Sequence, residues 1–255
     1  MGTNTCTFDF SGASVLVTGG TAGIGNAIAA AFADSGASVT ITGTRGGVAD
    51  YADDGVDLDR FEFVSVDTRD VDAIDELAAR FETLDVLVNN AGTPYPGGLD
   101  EWTPEGFSAS LDTNLRGAVR LSMRLRGALG ASELAGGASV VNIVSMAAFR
   151  GVPAVPGYSA SKAGLIATTR NLALAWMGDG IRVNAVAPGL ILTRMTSALD
   201  LPELAEIKEK ELARVPAGRM GTPEECAAAT LFLCSAPSAY TTGVALAVDG
   251  GYLAF

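Results

Sequence analysis

Residues 14–35 read SVLVTGGTAGIGNAIAAAFADS. The run Ser14–Thr18 is short, apolar and β-branched, and it is continuous rather than alternating, the pattern of a strand covered on both faces. Ile24–Ser35 has helical periodicity. Between them lies Thr18-Gly19-Gly20-Thr21-Ala22-Gly23-Ile24-Gly25, a glycine turn that joins strand to helix. Such a turn presents free backbone N–H groups and the positive end of a helix dipole, which suits a phosphate. The glycine spacing is Gly-x-x-x-Gly-x-Gly rather than Gly-x-Gly-x-x-Gly. The stretch Ser11–Ala33 carries no charge and is long enough to span a membrane. Its glycines interrupt the hydrophobicity, however, and Asp9 with no Lys or Arg before it argues against a secretory signal. A soluble, cytoplasmic chain is expected.

The same alternation continues outward from this stretch. Further apolar runs are Ser38–Thr42, Phe61–Val66, Val86–Asn89, Ser139–Val144, Arg182–Val186 and Val244–Val248. Helical patterns fall at Val71–Phe81, Thr113–Leu129, Tyr158–Met177 and Glu224–Ser235. Strand–helix alternation implies an α/β fold: one Rossmann-like, doubly wound parallel sheet of about seven strands with helices on both faces. Thr222-Pro223-Glu224-Glu225 reads as a capping box with Pro at the first helical position, and Asp70 and Thr103-Pro104 are weaker helix starts. Ala160–Met177 is apolar nearly all round, so it needs cover on more than one side, including from another subunit. A single domain over 1–255 is expected. Leu190–Gly218, with mixed charges, Pro202 and Pro216, reads as an insertion above the sheet, with a short helix around Glu203–Leu212 and the character of a lid.

Composition excludes several classes of function. The chain holds 17 Lys plus Arg against 29 Asp plus Glu, a net charge of −12, which repels nucleic acid. It has no His, which removes His-based catalysis, metal sites and pH switches. Three Cys (Cys6, Cys226 and Cys234) cannot form a disulfide framework or a four-ligand zinc site. With 48% apolar residues the chain can bury a large core, and 31 glycines exceed the usual share.

Three groups of residues can carry chemistry. Tyr158 and Lys162 lie one helical turn apart and share a face. A phenol has an ordinary pKa of about 10, and a nearby ammonium is expected to lower it so that Tyr158 can exchange a proton with a substrate oxygen. With 5 Tyr among 255 residues and only three Lys (Lys162, Lys208 and Lys210), this spacing is uncommon by chance. Ser145 ends a buried strand at the carboxyl edge, where open α/β sheets bind ligands. Asn114 sits inside a helical stretch, where Asn is a mediocre former, and Asn89-Asn90-Ala91-Gly92 follows a strand. Each also has a plain structural reading: a core Tyr beside a solvated Lys, or Asn and Ser serving as caps and turns.

Taken in order, Thr18–Gly25, Asp67, Asn89–Gly92, Asn114, Ser145, Tyr158/Lys162 and Pro188-Gly189 with Thr193 make the chain, from about residue 10 to its end, resemble a short-chain dehydrogenase/reductase of the compact type. The resemblance implies Tyr158 as general acid/base, Lys162 holding the nicotinamide ribose, Ser145 on the substrate oxygen, and Asn114 holding a relay water. It implies Gly19, Gly23, Ile24 and Gly25 at the pyrophosphate, Asp67 at the adenine, Asn89 and Ala91 at the adenosine ribose, and Ile191 and Thr193 at the carboxamide. Thr21, Thr44, Thr68, Gly92, Pro188 and Gly189 complete the implied cofactor site, which needs no metal. Residues 193–215 would form the lid, and a homotetramer is implied.

An NAD enzyme usually ends its second strand with an acid that bonds the ribose 2′-OH. Here that strand ends Thr42-Gly43-Thr44-Arg45. Arg45 can pair with a 2′-phosphate, which favours NADP over NAD; against it, Ala22 stands where a basic residue often marks NADP enzymes. The candidate pocket walls, Tyr95-Pro96, Phe149–Pro156 and Leu190–Leu199, are mainly apolar (Phe149, Val152, Pro153, Val155, Leu190, Met195, Leu199), with Arg150 and Arg194 as alternative anion anchors or solvated surface groups. The expected substrate is a small or medium, largely uncharged ketone or secondary alcohol. The competing readings are a nicotinamide-dependent epimerase or dehydratase, whose glycine spacing and sugar domain are missing here, and a redox-silent cofactor sensor or scaffold.

Overall fold

All seven apolar runs pair into one sheet in the computed structural model, which describes residues 6–197 and 201–254. The strands are β1 (Ser14–Val17), β2 (Ser38–Gly43), β3 (Glu62–Ser65), β4 (Val86–Asn89), β5 (Ala138–Ile143), β6 (Ile181–Pro188) and β7 (Ala245–Val248). Every pairing is parallel, in the order β3-β2-β1-β4-β5-β6-β7. The chain moves outward from β1 to β3, then returns to the other side of β1 for β4. A crevice therefore opens at the carboxyl ends of β1 and β4, where the order reverses.

Both faces of the sheet are apolar because successive side chains point to opposite sides. Val15, Val17, Val86, Val88, Val141 and Ile143 pack with Ile28 and Phe32 of α1 (Gly23–Asp34) and Leu231 of α8 (Pro223–Cys234). Leu16, Leu87, Val140 and Val183 face α2 (Val71–Ala78), α4 (Gly117–Gly130) and α5 (Pro156–Trp176), meeting Ile74, Leu121, Leu125, Leu172 and Trp176. This is the doubly wound α/β sheet expected from the alternation.

Two helical stretches differ from expectation. The segment expected to begin at Thr113 begins with α3 (Pro104–Leu111), capped by Thr103, whose hydroxyl accepts from the Gly106 N–H at 3.1 Å. It continues through a π-helical turn, Asp112–Arg116, into α4. The Asn114 side chain explains the turn, since its Nδ2 donates to the Ser110 carbonyl one turn back and competes with the backbone ladder. The second difference is at α5, which starts at Pro156 instead of Tyr158, with Pro in the first turn where its missing N–H costs nothing.

The insertion after β6 carries α6 (Arg194–Ser197) and α7 (Ala205–Leu212). Ile191 pairs with Gly221 across its base. Glu211 of α7 accepts a hydrogen bond from Tyr252 and lies 3.7 Å from the Arg150 guanidinium, which stacks on the Tyr252 ring. Leu199 lies outside the described residues. Among the described residues no helix is long and apolar enough to cross a membrane.

Candidate active site

The glycine turn is shaped by what it touches. Gly19 has φ +64, and a Cβ there would sit 3.0 Å from the Ala91 Cα. Only glycine accepts that conformation cheaply at such close approach. The Thr18 hydroxyl accepts from the Asn90 and Ala91 N–H groups, both at 3.0 Å, and Asn90 Nδ2 donates to the Thr18 and Gly19 carbonyls. Asn90 thus ties the turn after β1 to the turn after β4, a part not singled out for it in the sequence. Gly25 lies behind the turn, where a Cβ would meet Asn90 Nδ2 at 2.3 Å; it packs the helix against the loop and does not line the crevice. Ala22 offers no side-chain cap, so the first N–H groups of α1 have no such partner from within the helix start.

The crevice has two continuous parts. The first, about 460 Å³, is lined by Gly19, Thr21, Gly23, Ile24, Ala91, Gly92, Ser145, Tyr158, Lys162, Pro188, Gly189, Ile191 and Thr193 among others. Its remaining walls are mostly apolar: Met146, Ala147, Val152, Val155, Leu190 and Met195. The second, about 420 Å³, shares Gly19, Thr21, Ala91 and Gly92 and runs to Thr44, Arg45, Asp67 and Thr68. Of the expected walls, Val152, Val155, Leu190 and Met195 line the first part, and Pro96 lines the second. Phe149 is exposed and is not part of either lining. Arg150 turns instead to Tyr252 and Glu211, as described above, while Arg194 lines both parts.

Ser145, Tyr158 and Lys162 converge on the first part. Lys162 is 3% exposed, and its Nζ donates to the Ile143 carbonyl at 2.8 Å. Burial holds it down at about 8. It is therefore mostly an ammonium at neutral pH, with two N–H groups beyond the one given to Ile143. Its Nζ lies 5.6 Å from the Tyr158 ring centroid. The expected lowering of the Tyr158 pKa by Lys162 does not hold. Burial pushes the phenol above its ordinary value, the Ser145 hydrogen bond pulls it back, and the Glu101 charge raises it further.

Asn89 and Asn114, like Gly25, stand away from the crevice lining. Asn89 follows the alternation of β4 and shares the Leu87 side, so its amide points into the helix layer. There its Nδ2 donates to Ser122 Oγ at 2.9 Å and Asn142 Oδ1 at 2.8 Å. The Asn114 side chain is committed as well: Oδ1 accepts from the Thr93 N–H, and Nδ2 donates to the Thr93 and Ser110 carbonyls. It fixes the segment after Gly92, where a Cβ would lie 2.5 Å from Asn114 Oδ1 and 3.1 Å from Lys162 Nζ.

The second part carries Arg45 and Asp67. The Arg45 guanidinium sits 4.4 Å above the Tyr51 ring, and the Arg45 backbone N–H donates to the Tyr51 hydroxyl at 3.0 Å. Asp67 accepts from Arg69 Nε at 3.0 Å, which holds its carboxyl below the ordinary value. Arg69 and Tyr51 also line this part, and neither carries a motif that would reveal it.

A nicotinamide dinucleotide fits this donor set: uncapped helix N–H groups, a buried ammonium with spare donors, and a cradle that added Cβ atoms would fill. A protein-family model described as Enoyl-(Acyl carrier protein) reductase matches residues 19–253. The chain is 38% identical over 246 residues to the 3-oxoacyl-[acyl-carrier-protein] reductase FabG of Chlamydia muridarum, covering 93% of this chain and 96% of that one. An uncharacterized short-chain type dehydrogenase/reductase, y4vI, of Sinorhizobium fredii is 40% identical over 178 residues; the match spans 69% of this chain and 31% of that longer protein. Among solved structures, one proposed to be an NAD(P)-dependent gluconate 5-dehydrogenase from Beutenbergia cavernae, with NADP bound at low occupancy, superposes with a TM-score of 0.83 at 38% identity, covering 98% of this chain and 100% of that one. Sheet order, crevice chemistry and these likenesses agree, and the chain belongs to the short-chain dehydrogenase/reductase family, oxidoreductases of alcohols and ketones.

Proposed function

We propose that the chain is an NADP-preferring reductase of small or medium, largely uncharged ketones. One observation carries the reading: Ser145, Tyr158 and Lys162 line an apolar cleft that continues into a second one where Arg45, and no acid, follows β2. When bound, the nicotinamide dinucleotide supplies or accepts the hydride. The first turn of α1 would hold its pyrophosphate, and Lys162 would hold the nicotinamide ribose through the two donors that Ile143 leaves over. Arg45 would meet the 2′-phosphate, with Thr44 and Thr68 beside the same adenosine half. The Ser145 hydroxyl would bond the substrate oxygen and Tyr158 would give it a proton. A phenol held above its ordinary pKa is protonated at pH 7, the form from which it can donate to a ketone oxygen. In this reading Asn114 acts by holding the Gly92–Thr93 backbone beside Lys162.

The relatives leave two substrate classes in contention, carrier-bound 3-oxoacyl groups and small polyols or sugar acids. A net charge of −12 disfavours an acidic carrier protein, and the apolar lining favours an uncharged ketone. The reading also includes cytoplasmic residence and a homotetramer that would cover Met123 of α4 and Leu174 of α5, which are 57% and 83% exposed. The test is NADPH and NADH oxidation against a ketone panel and a 3-oxoacyl thioester, for wild type, Tyr158→Phe and Arg45→Ala. Tyr158→Phe should lose at least a thousandfold in kcat while keeping NADPH affinity, and Arg45→Ala should lose the NADPH preference. Near-wild-type turnover by Tyr158→Phe, or activity confined to the thioester, refutes the reading.

A further inference from the structure

One buried carboxylate has no part in the chemistry above. Glu101 is 0% exposed, in the strap between β4 and α3. Its Oε1 accepts from the Tyr95 N–H at 2.9 Å and its Oε2 from the Tyr158 N–H at 2.8 Å. Its partners are thus backbone donors and not a cation. The second contact answers a local deficiency. Helix α5 begins Val155-Pro156-Gly157-Tyr158, and Val155 offers no side-chain cap. The Tyr158 N–H is one of the donors that a helix start leaves unpaired, and Glu101, 57 residues earlier, supplies the acceptor. A carboxylate there also complements the positive end of the α5 dipole.

The strap is fastened at further points. Tyr95 is the one described non-glycine residue with left-handed backbone, φ 48, and Glu101 holds its N–H. Its hydroxyl donates to the Ala154 carbonyl, and Trp102 Nε1 donates to the Pro153 carbonyl at 2.9 Å. Those two carbonyls lie between Val152 and Val155, which line the cleft. One buried carboxylate therefore joins the start of the Tyr158 helix to the wall beside it.

We propose that Glu101 is a positioning residue for Tyr158: its carboxylate fixes the first turn of α5 and the 152–156 wall, and so sets the phenol against the substrate oxygen. This rests on the reading of Tyr158 as proton donor. The charged and titratable groups around that phenol are Lys162 on its own helix and Glu101 from the strap; Ser145 approaches from beyond the end of β5, Arg194 also lines the cleft, and Glu105 of α3 is exposed. Removing the Glu101 charge removes one influence that raises the phenol's pKa.

The test uses the full chain with Glu101→Gln, Glu101→Ala and Tyr158→Phe. Three quantities are read: kcat and KM for the best ketone, NADPH affinity by fluorescence, and the Tyr158 phenolate absorbance near 295 nm against pH, taken as the difference from the matching Tyr158→Phe protein. Glu101→Gln should lower kcat about tenfold, leave KM and NADPH affinity within about threefold, and move the Tyr158 titration to lower pH; Glu101→Ala should do the same more strongly. A fall in melting temperature with kcat and titration unmoved overturns the proposal. If Glu101→Ala fails to fold, Glu101→Gln, which keeps one acceptor, decides. Should Tyr158→Phe itself keep its turnover, the donor reading falls, whereas inactive Tyr158→Phe beside unchanged Glu101 variants sinks only the role of Glu101.

Discussion

Lys162 places a cation where the fold resists it, and the cost is measurable without any ligand. The side chain is 3% exposed, and burial alone holds it at about 8 instead of 10.5. That difference makes the ammonium cost the ligand-free fold about 3 kcal/mol at pH 7. Because the folded value lies below the unfolded one, the unfolded chain binds the extra proton between about pH 8 and 10.5. Stability therefore rises as pH climbs through that window and levels off above it, while the full cost is present below it. Lys162→Met removes the charge, but it also leaves the Ile143 carbonyl without its donor, a loss of about 1–2 kcal/mol. The variant should then be more stable at pH 7 by about 1–2 kcal/mol, or a few degrees in melting temperature. At pH 10.5 it should be less stable by a similar amount. Urea unfolding of ligand-free Tyr158→Phe and Tyr158→Phe/Lys162→Met at pH 7, 8.5 and 10.5 tests this with the neighbouring phenol removed from both. A stability difference that stays constant across that range, or a less stable Met variant at pH 7, refutes the reasoning. A stability cost at a ligand-binding group is the usual trade against function.

Two further predictions concern residues outside the proton-transfer group. Arg182 of β6 is 1% exposed and donates to the carbonyls of Gly136 at 3.0 Å, Leu233 at 2.6 Å and Thr241 at 3.3 Å. Arg182→Met should lower unfolding stability in urea by about 2–3 kcal/mol, because the orphaned carbonyls outweigh the relief of burying a cation; an equally stable variant contradicts this. Gly43→Asp, which restores an acid near the end of β2, should not create NADH preference. Its Cβ would sit 2.4 Å from the Tyr51 hydroxyl and 2.7 Å from Thr21 Cγ2, a clash of about 1–3 kcal/mol. Adding Tyr51→Ala should relieve the contact with the hydroxyl, leaving the one with Thr21, and raise NADH affinity above that of the single variant, read by fluorescence titration; tighter NADH binding by the single variant would count against the steric account.

Local pattern carried the reading far. Continuous apolar runs mark strands covered on both faces, and all seven appear in the sheet, with ends shifted by a residue or two. The glycine turn and the Tyr158/Lys162 spacing are local too, because a helical turn puts those two on one face whatever surrounds them. Asn89 shows the limit: the motif brings it near the crevice, but the alternation of β4 turns its amide to Ser122 and Asn142.

What only the tertiary structure decided are relations between distant segments. The sequence around Val155 shows no cap for α5, and nothing local says that Glu101 supplies one. The direction of the Tyr158 pKa follows from burial and from that same carboxylate, so a rule based on Lys162 alone points the wrong way. Arg45 is legible as a cation after β2, but its stacking on Tyr51 depends on how residues 46–51 return over the strand end. The physical reason is common to all three. Periodicity encodes which face a residue takes within its own element, whereas hydrogen bonding and desolvation depend on which elements the sheet order brings together.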